Sequence, residues 1–106
     1  MVQEVSPEEL QAECQAGQAP QLLDVREAWE LEISRLPGTL HIPMNEVPER
    51  LGELDPARPV TVICRSGARS LHVGHYLEQQ GFGRVSNLTG GILAWGERID
   101  PALRPY

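Results

Sequence analysis

Pro59 through Ile63 is a run rich in β-branched residues that leads directly into Cys64. Cys64 opens a loop, Cys64-Arg65-Ser66-Gly67-Ala68-Arg69, that carries one glycine and two arginines. A cysteine placed this way can act as a nucleophile. Val60–Ile63 reads as a strand buried on both faces, and Ser70–Gln80 reads as the helix after it. The thiol therefore sits at the carboxyl end of a strand and faces a helix N-terminus. Backbone N–H groups and the positive end of the helix dipole converge there, and Arg65 and Arg69 add two cations. Each of these favours the thiolate, the reactive form of cysteine. Gly67 lets the loop turn with its amides inward as an anion nest. Ser66 either adds a hydroxyl donor or faces water.

Each residue also has a plainer reading. Free cysteine is among the most buried residue types, and Cys64 could be an inert core thiol, but polar Arg-Ser-Gly follows it rather than apolar residues. An arbitrary arginine is a solvated surface charge; flanking a thiolate loop, at least one of Arg65 and Arg69 is expected to bind an anionic substrate. Asp24 is read as fixing the neighbouring loop by hydrogen bonds rather than as a general acid or base, since an ionised thiolate needs no base. Arg26 is expected to pair with a carboxylate. Cys14 shares an i, i+4 apolar stripe with Leu10, so packing is its expected role. His72 and His75 lie three apart on one helix, but no third ligand is near, and no metal site is expected. His41, Trp29, Trp95 and Tyr76 are expected to pack the core or its margins.

The 106 residues fit one domain, 1–106, long enough to bury about two thirds of its unfolded surface without disulfides. Fifteen acidic and nine basic residues give a net charge of -6, which leaves no basic field for nucleic acid. No stretch approaches the ~18 apolar residues of a membrane span, so a soluble protein is expected. The acidic N-terminal segment lacks the basic and apolar regions of a signal peptide. The expected compartment is the cytoplasm, where two cysteines in dissimilar contexts stay reduced. Every Lys/Arg-type residue is arginine; the absence of lysine excludes Schiff-base, pyridoxal-phosphate and Walker-type phosphate-loop chemistry.

The elements that must position Cys64 alternate along the chain. Val2–Val5 reads as a strand, and Ser6-Pro7-Glu8-Glu9 as a capping box that starts a helix running to about Ala16, with Gly17 as its stop. Strand Leu22–Val25, a short helix over Glu27–Ile33, a Pro37-Gly38 turn and strand Leu40–Ile42 follow. A helix is expected over Val47–Leu54 with Pro48 in its first turn. After the Cys64 loop, the helix stops at Gly81, Val85–Leu88 makes a fifth strand, and Gly90-Gly91 precedes a last helix carrying Trp95. This alternation predicts an α/β fold of three layers, α/β/α, around a five-stranded parallel sheet.

Four segments carry a family resemblance in order: Leu22-Leu23-Asp24-Val25-Arg26-Glu27, Leu36-Pro37-Gly38-Thr39-Leu40-His41-Ile42-Pro43, the Cys64–Arg69 loop, and Asn87-Leu88-Thr89-Gly90-Gly91-Ile92-Leu93-Ala94-Trp95. From Leu22 to Trp95 the chain resembles the single-domain rhodaneses, a family of sulfurtransferases. Arg35 stands where many members have His, and Ile99 and Asp100 also depart from the usual pattern. The resemblance implies strand order 3-2-4-5-1, which brings Asp24 and Cys64 together at a topological switch point. It implies sulfur transfer from thiosulfate or another small anionic donor, through a persulfide on Cys64, to cyanide or a thiol, with no cofactor. Arg65, Ser66, Gly67, Ala68 and Arg69 would bind the substrate, and Asp24 and Arg26 would support the loop. A persulfide-carrying protein could serve as donor or acceptor.

Two other classes share parts of this pattern. A cysteine phosphatase or arsenate reductase also uses a thiolate on an anion loop, but the phosphatase signature has His before the cysteine and five residues before the arginine. Here Ile63 precedes Cys64 and only four residues separate it from Arg69, a smaller loop that suits a single sulfur atom. A non-catalytic interaction module is the other class, found among rhodanese-like domains that lack the cysteine; Cys64 argues against it.

Overall fold

Pairing of the short apolar strands produces one parallel sheet, and the intervening helices cover both of its faces. The computed structural model describes residues 1–104 and 106. In chain order the elements are β1 (Gln3–Val5), α1 (Pro7–Gln15), β2 (Gln21–Asp24), α2 (Ala28–Ile33), β3 (Leu40–His41), β4 (Val60–Ile63), α3 (Ala68–Gln79), β5 (Val85–Leu88) and α4 (Gly91–Arg98). The strands lie in the order β1-β5-β4-β2-β3, every neighbouring pair parallel. This is the order that the resemblance implies. The chain winds outward in opposite directions from the central β2–β4 pair, so a crevice forms beyond their carboxyl ends. In that pair Asp24 is level with Ile63, and the Val25 N–H donates to the Ile63 carbonyl at 3.0 Å.

All four residues of β4 are buried, as a central strand covered on both sides requires. Its side chains alternate between two cores. Val60, Val62 and Cys64 join Leu23, Val25, Val73, Leu77 and Val85 on the α3 face. Ile63 joins Leu10, Leu88 and Ile92 on the face covered by α1 and α4. The start of α1 follows its sequence signal, whereas α3 begins at Ala68, two residues before the expected Ser70, because Gly67 caps it. Ser6 Oγ accepts the Glu9 N–H at 3.1 Å while Glu9 returns a carboxylate to the Ser6 N–H at 2.8 Å, the reciprocal capping box expected there.

The helix expected over Val47–Leu54 does not form. One 3₁₀ turn, Met44–Glu46, precedes this stretch, and a second, Leu51–Glu53, lies within it. Pro48 has no N–H to bond back to residue 44, and Gly52 interrupts the segment four residues later. Most closures here run i to i−3, such as Glu49 N–H to Glu46 at 3.1 Å and Leu54 N–H to Leu51 at 3.1 Å, and a single i to i−4 bond, Arg50 N–H to Glu46 at 3.1 Å, does not propagate.

Candidate active site

Cys64 follows β4 directly and is 1% exposed, on the floor of a loop whose Arg65, Ser66 and Ala68 face outward. Gly67 adopts φ 108° and caps the N-terminus of α3, a conformation that favours glycine. That turn aims the Gly67 N–H at the sulfur, where it donates to Cys64 Sγ at 3.1 Å. The carbonyls of the loop are tied away from it. Cys64 O accepts from the Ile92 N–H at 2.9 Å, Arg65 O from the Leu93 N–H at 3.1 Å, and Gly67 O from Asn87 Nδ2 at 3.2 Å. Among the described residues, the N–H groups of Arg65, Ser66, Ala68, Arg69 and Ser70 find no acceptor. The loop thus presents amide donors around one sulfur, which suits anionic sulfur and an anionic ligand.

A second contact to the sulfur comes from the first turn of α3. Ser70 Oγ lies 3.3 Å from Cys64 Sγ and donates to Asn87 Oδ1. The Asn87 amide is locked because its Nδ2 donates to the Glu4 carboxylate at 3.2 Å and to Gly67 O at 3.2 Å, both of which can only accept. Ser70 therefore directs its single hydrogen to Asn87 and a lone pair toward the thiol; when the sulfur is anionic the hydroxyl can turn to donate to it. Ser70 and Asn87 were not singled out from sequence as site residues. Their signal is a polar side chain in a buried series: Ser70 shares the inward stripe of Val73, Gly74 and Leu77, and Asn87 shares a strand face with Val85.

Asp24 and Arg26 form a fully buried pair beside this loop, both 0% exposed. Arg26 Nη2 donates to Asp24 Oδ2 at 2.8 Å, Nε donates to Oδ1 at 3.0 Å, and the Arg26 N–H reaches the same carboxylate at 3.0 Å. The rest of the guanidinium joins distant segments, Nη2 to Ser34 O at 2.8 Å and Nη1 to Tyr106 O at 3.1 Å. The Arg26 carbonyl accepts from His41 Nε2 at 2.7 Å, so that nitrogen carries the proton. The buried Arg26 side chain and its backbone carbonyl together fasten the end of β2 to Ser34 at the end of α2, to His41 of β3 and to Tyr106.

The match to the rhodanese-like domain spans residues 6–98. This chain belongs to the rhodanese-like domain family. It is 40% identical over 105 residues to a sulfurtransferase of Allochromatium vinosum, covering 99% of this chain and 98% of that one. It is 38% identical over 100 residues to YtwF of Bacillus subtilis, covering 94% and 96% of the two chains. The crystal structure of a rhodanese-like domain protein from Staphylococcus aureus is similar with a TM-score of 0.86, at 28% identity and 99% coverage of each chain.

In this rhodanese-like domain both loop arginines are engaged by protein partners. Arg65 lies over the Tyr106 ring, 4.9 Å from its centroid. Arg69 makes a two-pronged ion pair with Glu30, Nη1–Oε1 2.7 Å and Nη2–Oε2 2.8 Å. Glu30 had no role in the sequence reading. Its partner is 39 residues away, and its position in a capping box with the Glu27 N–H, at 2.8 Å, gives it a sufficient local reason to be there. Two expectations need correction. Trp29 is 52% exposed rather than packed in the core or its margins, because the six-residue α2 turns Glu30 and Leu31 inward; its ring meets Tyr106 edge-on at 5.1 Å. Cys14 is exposed rather than packed, because α1 buries only Pro7 and Leu10. Among the described residues no group of His, Cys, Asp and Glu is arranged to hold a metal, and no helix is long and apolar enough to cross a membrane.

The Arg69 hydrogen bonds hold the Glu30 carboxyl below the usual carboxylate range, against the opposing effect of burial. A carboxyl depressed by folding contributes stability that is present above its unfolded pKa of about 4.3 and lost as pH falls through the lower folded value. Glu30→Gln, which cannot titrate, should therefore lose less stability than the parent between pH 5 and pH 2. Urea unfolding at intervals across that range measures the difference; identical slopes in the two proteins would contradict the assignment.

Proposed function

We propose that this single domain is a sulfurtransferase that works by double displacement through a persulfide on Cys64. The observation that carries the reading is the sulfur itself, seated on the loop floor with the Gly67 N–H on it at 3.1 Å and further amides of the loop without acceptors among the described residues. Sulfurtransferase relatives spanning the same length support the reaction class. In the first half-reaction the Cys64 thiolate attacks the outer sulfur of a donor. With thiosulfate the S–S bond breaks, sulfite leaves with the bonding electrons, and Cys64–S–S⁻ remains. In the second, a thiolate R–S⁻ or cyanide attacks the outer sulfur, giving R–S–S⁻ or thiocyanate and returning the Cys64 thiolate. Negative charge stays on the loop in both forms, and amide donors can hold it without a metal or organic cofactor. Arg65, Ser66, Gly67, Ala68 and Arg69 would contact the donor, while the Asp24–Arg26 pair keeps the loop in place. A small thiol, or a protein carrying a persulfide, fits as partner, and the reducing cytoplasm fits as compartment.

Initial rates with donor and acceptor varied together test this sequence of steps. Parallel double-reciprocal lines are expected, with sulfite released from thiosulfate before any acceptor is added. Intersecting lines without that acceptor-independent release would contradict it. Four residues rather than five between Cys64 and Arg69 favour sulfur over phosphoryl transfer, so phosphate monoesters should be hydrolysed at background rate.

A further inference from the structure

The pair formed by Arg69 and Glu30 bears on which donor the loop accepts. Arg69 lies directly before Ser70, whose hydroxyl touches Cys64 Sγ at 3.3 Å, and it is the cation that would meet the anionic end of a donor. Its guanidinium is gripped end-on by Glu30 at 2.7 and 2.8 Å. The Glu30 residue is 3% exposed whereas the Arg69 side chain is 32% exposed. The carboxylate is therefore fixed from within, and it also holds the Glu27 N–H at 2.8 Å. End-on pairing leaves Arg69 some free N–H donors but neutralises its charge. Arg65, the other cation of the loop, lies over Tyr106.

We propose that Glu30 is a specificity-determining residue: by neutralising Arg69 beside Cys64, it disfavours donors that leave as a dianion and favours donors whose sulfane sulfur is carried on a thiol. This deepens, and rests on, the sulfur-transfer reading above. Thiosulfate places a sulfonate group and two negative charges against the loop and releases sulfite. A thiol persulfide reacts as R–S–SH + Cys64–S⁻ → R–S⁻ + Cys64–S–SH, in which the donor S–S bond breaks, its electron pair leaves on R–S⁻, and the proton stays on the transferred sulfur. The second donor asks for no free cation at the rim. The favourable field of Arg69 acts mainly on the first, and Glu30 cancels most of it.

The test compares kcat/KM for thiosulfate and for glutathione persulfide in the parent, Glu30→Gln, Glu30→Asp and Arg69→Gln, each checked for a native unfolding transition. In Glu30→Gln the thiosulfate-to-persulfide ratio should rise by about tenfold or more, mainly through a lower thiosulfate KM, and the thiosulfate rate should become more sensitive to salt. Glu30→Asp keeps the charge and should keep the ratio within about threefold of the parent. Arg69→Gln leaves the Glu30 carboxylate without its paired cation and should move the ratio about tenfold the other way, a direction that remains measurable should Glu30→Gln not fold. An unchanged ratio in Glu30→Gln or Arg69→Gln, or a Glu30→Asp shift as large as that of Glu30→Gln, would overturn the role of Glu30 while leaving sulfur transfer intact. Failure of both donors to load sulfur on the parent would overturn sulfur transfer, and this proposal with it.

Discussion

Cys64→Ser should lose sulfur transfer to background, a fall of at least about 10³-fold, while the fold survives. Serine is close in shape to cysteine, and its oxygen can still accept from the Gly67 N–H and meet Ser70, the two contacts that Cys64 Sγ makes. The stability change should stay near 1 kcal/mol. An alkoxide cannot form or carry a persulfide, so no substitute pathway remains. Cys14→Ser is the control: that thiol is exposed on α1, and its loss should leave the rate within about twofold of the parent, because substitution at an exposed site removes little packing. Rates with both donors, set beside thermal unfolding of each variant, decide the matter. Activity that survives in Cys64→Ser but disappears in Cys14→Ser would reverse the assignment.

Gly91→Ala should be the most damaging single methyl group in the chain. Gly91 has φ 59°, and a Cβ built there would lie 2.3 Å from the Cys64 carbonyl oxygen and 2.5 Å from that of Arg65. Both are backbone atoms and cannot swing aside. These are the carbonyls that accept the Ile92 and Leu93 N–H groups, so the methyl would push α4 off the loop and break the two bonds that tie the loop carbonyls back. The left-handed conformation, the overlap and the lost hydrogen bonds together suggest a cost of roughly 3–5 kcal/mol. Activity per folded molecule should drop by about 10²-fold, because a displacement near 1 Å at the reacting atom is worth that much. Gly17→Ala separates backbone strain from overlap. It has φ 75° with nothing within 4 Å of the added Cβ, and should cost about 1 kcal/mol without affecting the rate. Equal effects of the two substitutions on activity would remove the claim that close approach at Gly91 shapes the loop.

What could be read from the sequence was mostly local. The Val60–Ile63 run, the thiol at its end and the turn at Gly67 follow from residue type and spacing, and the alternation of strands and helices gives the parallel sheet. The expected Val47–Leu54 helix went wrong where local signals competed, with Pro48 and Gly52 outweighing the apolar spacing. The contacts that complete the site are long-range. Glu30 reaches Arg69 across 39 residues and Glu4 reaches Asn87 across 83, and each residue alone looks like an ordinary solvent-facing acid. Gly91 reads as half of a turn, and only the packing of α4 against the Cys64 carbonyl shows why a side chain has no room. Trp29 illustrates the same point from the other side, since an isolated tryptophan between Glu27 and Glu30 gives no sign that its helix turns Glu30 inward instead.

Intact mass measurement tests the central claim most directly. The protein is exposed briefly to excess thiosulfate or glutathione persulfide, freed of small molecules, weighed, and weighed again after cyanide. The account predicts a gain of one sulfur atom in the parent and in Cys14→Ser, its complete removal by cyanide with thiocyanate formed, and no gain in Cys64→Ser. Parent protein that gains no sulfur from either donor, or a gain that persists in Cys64→Ser, would contradict it.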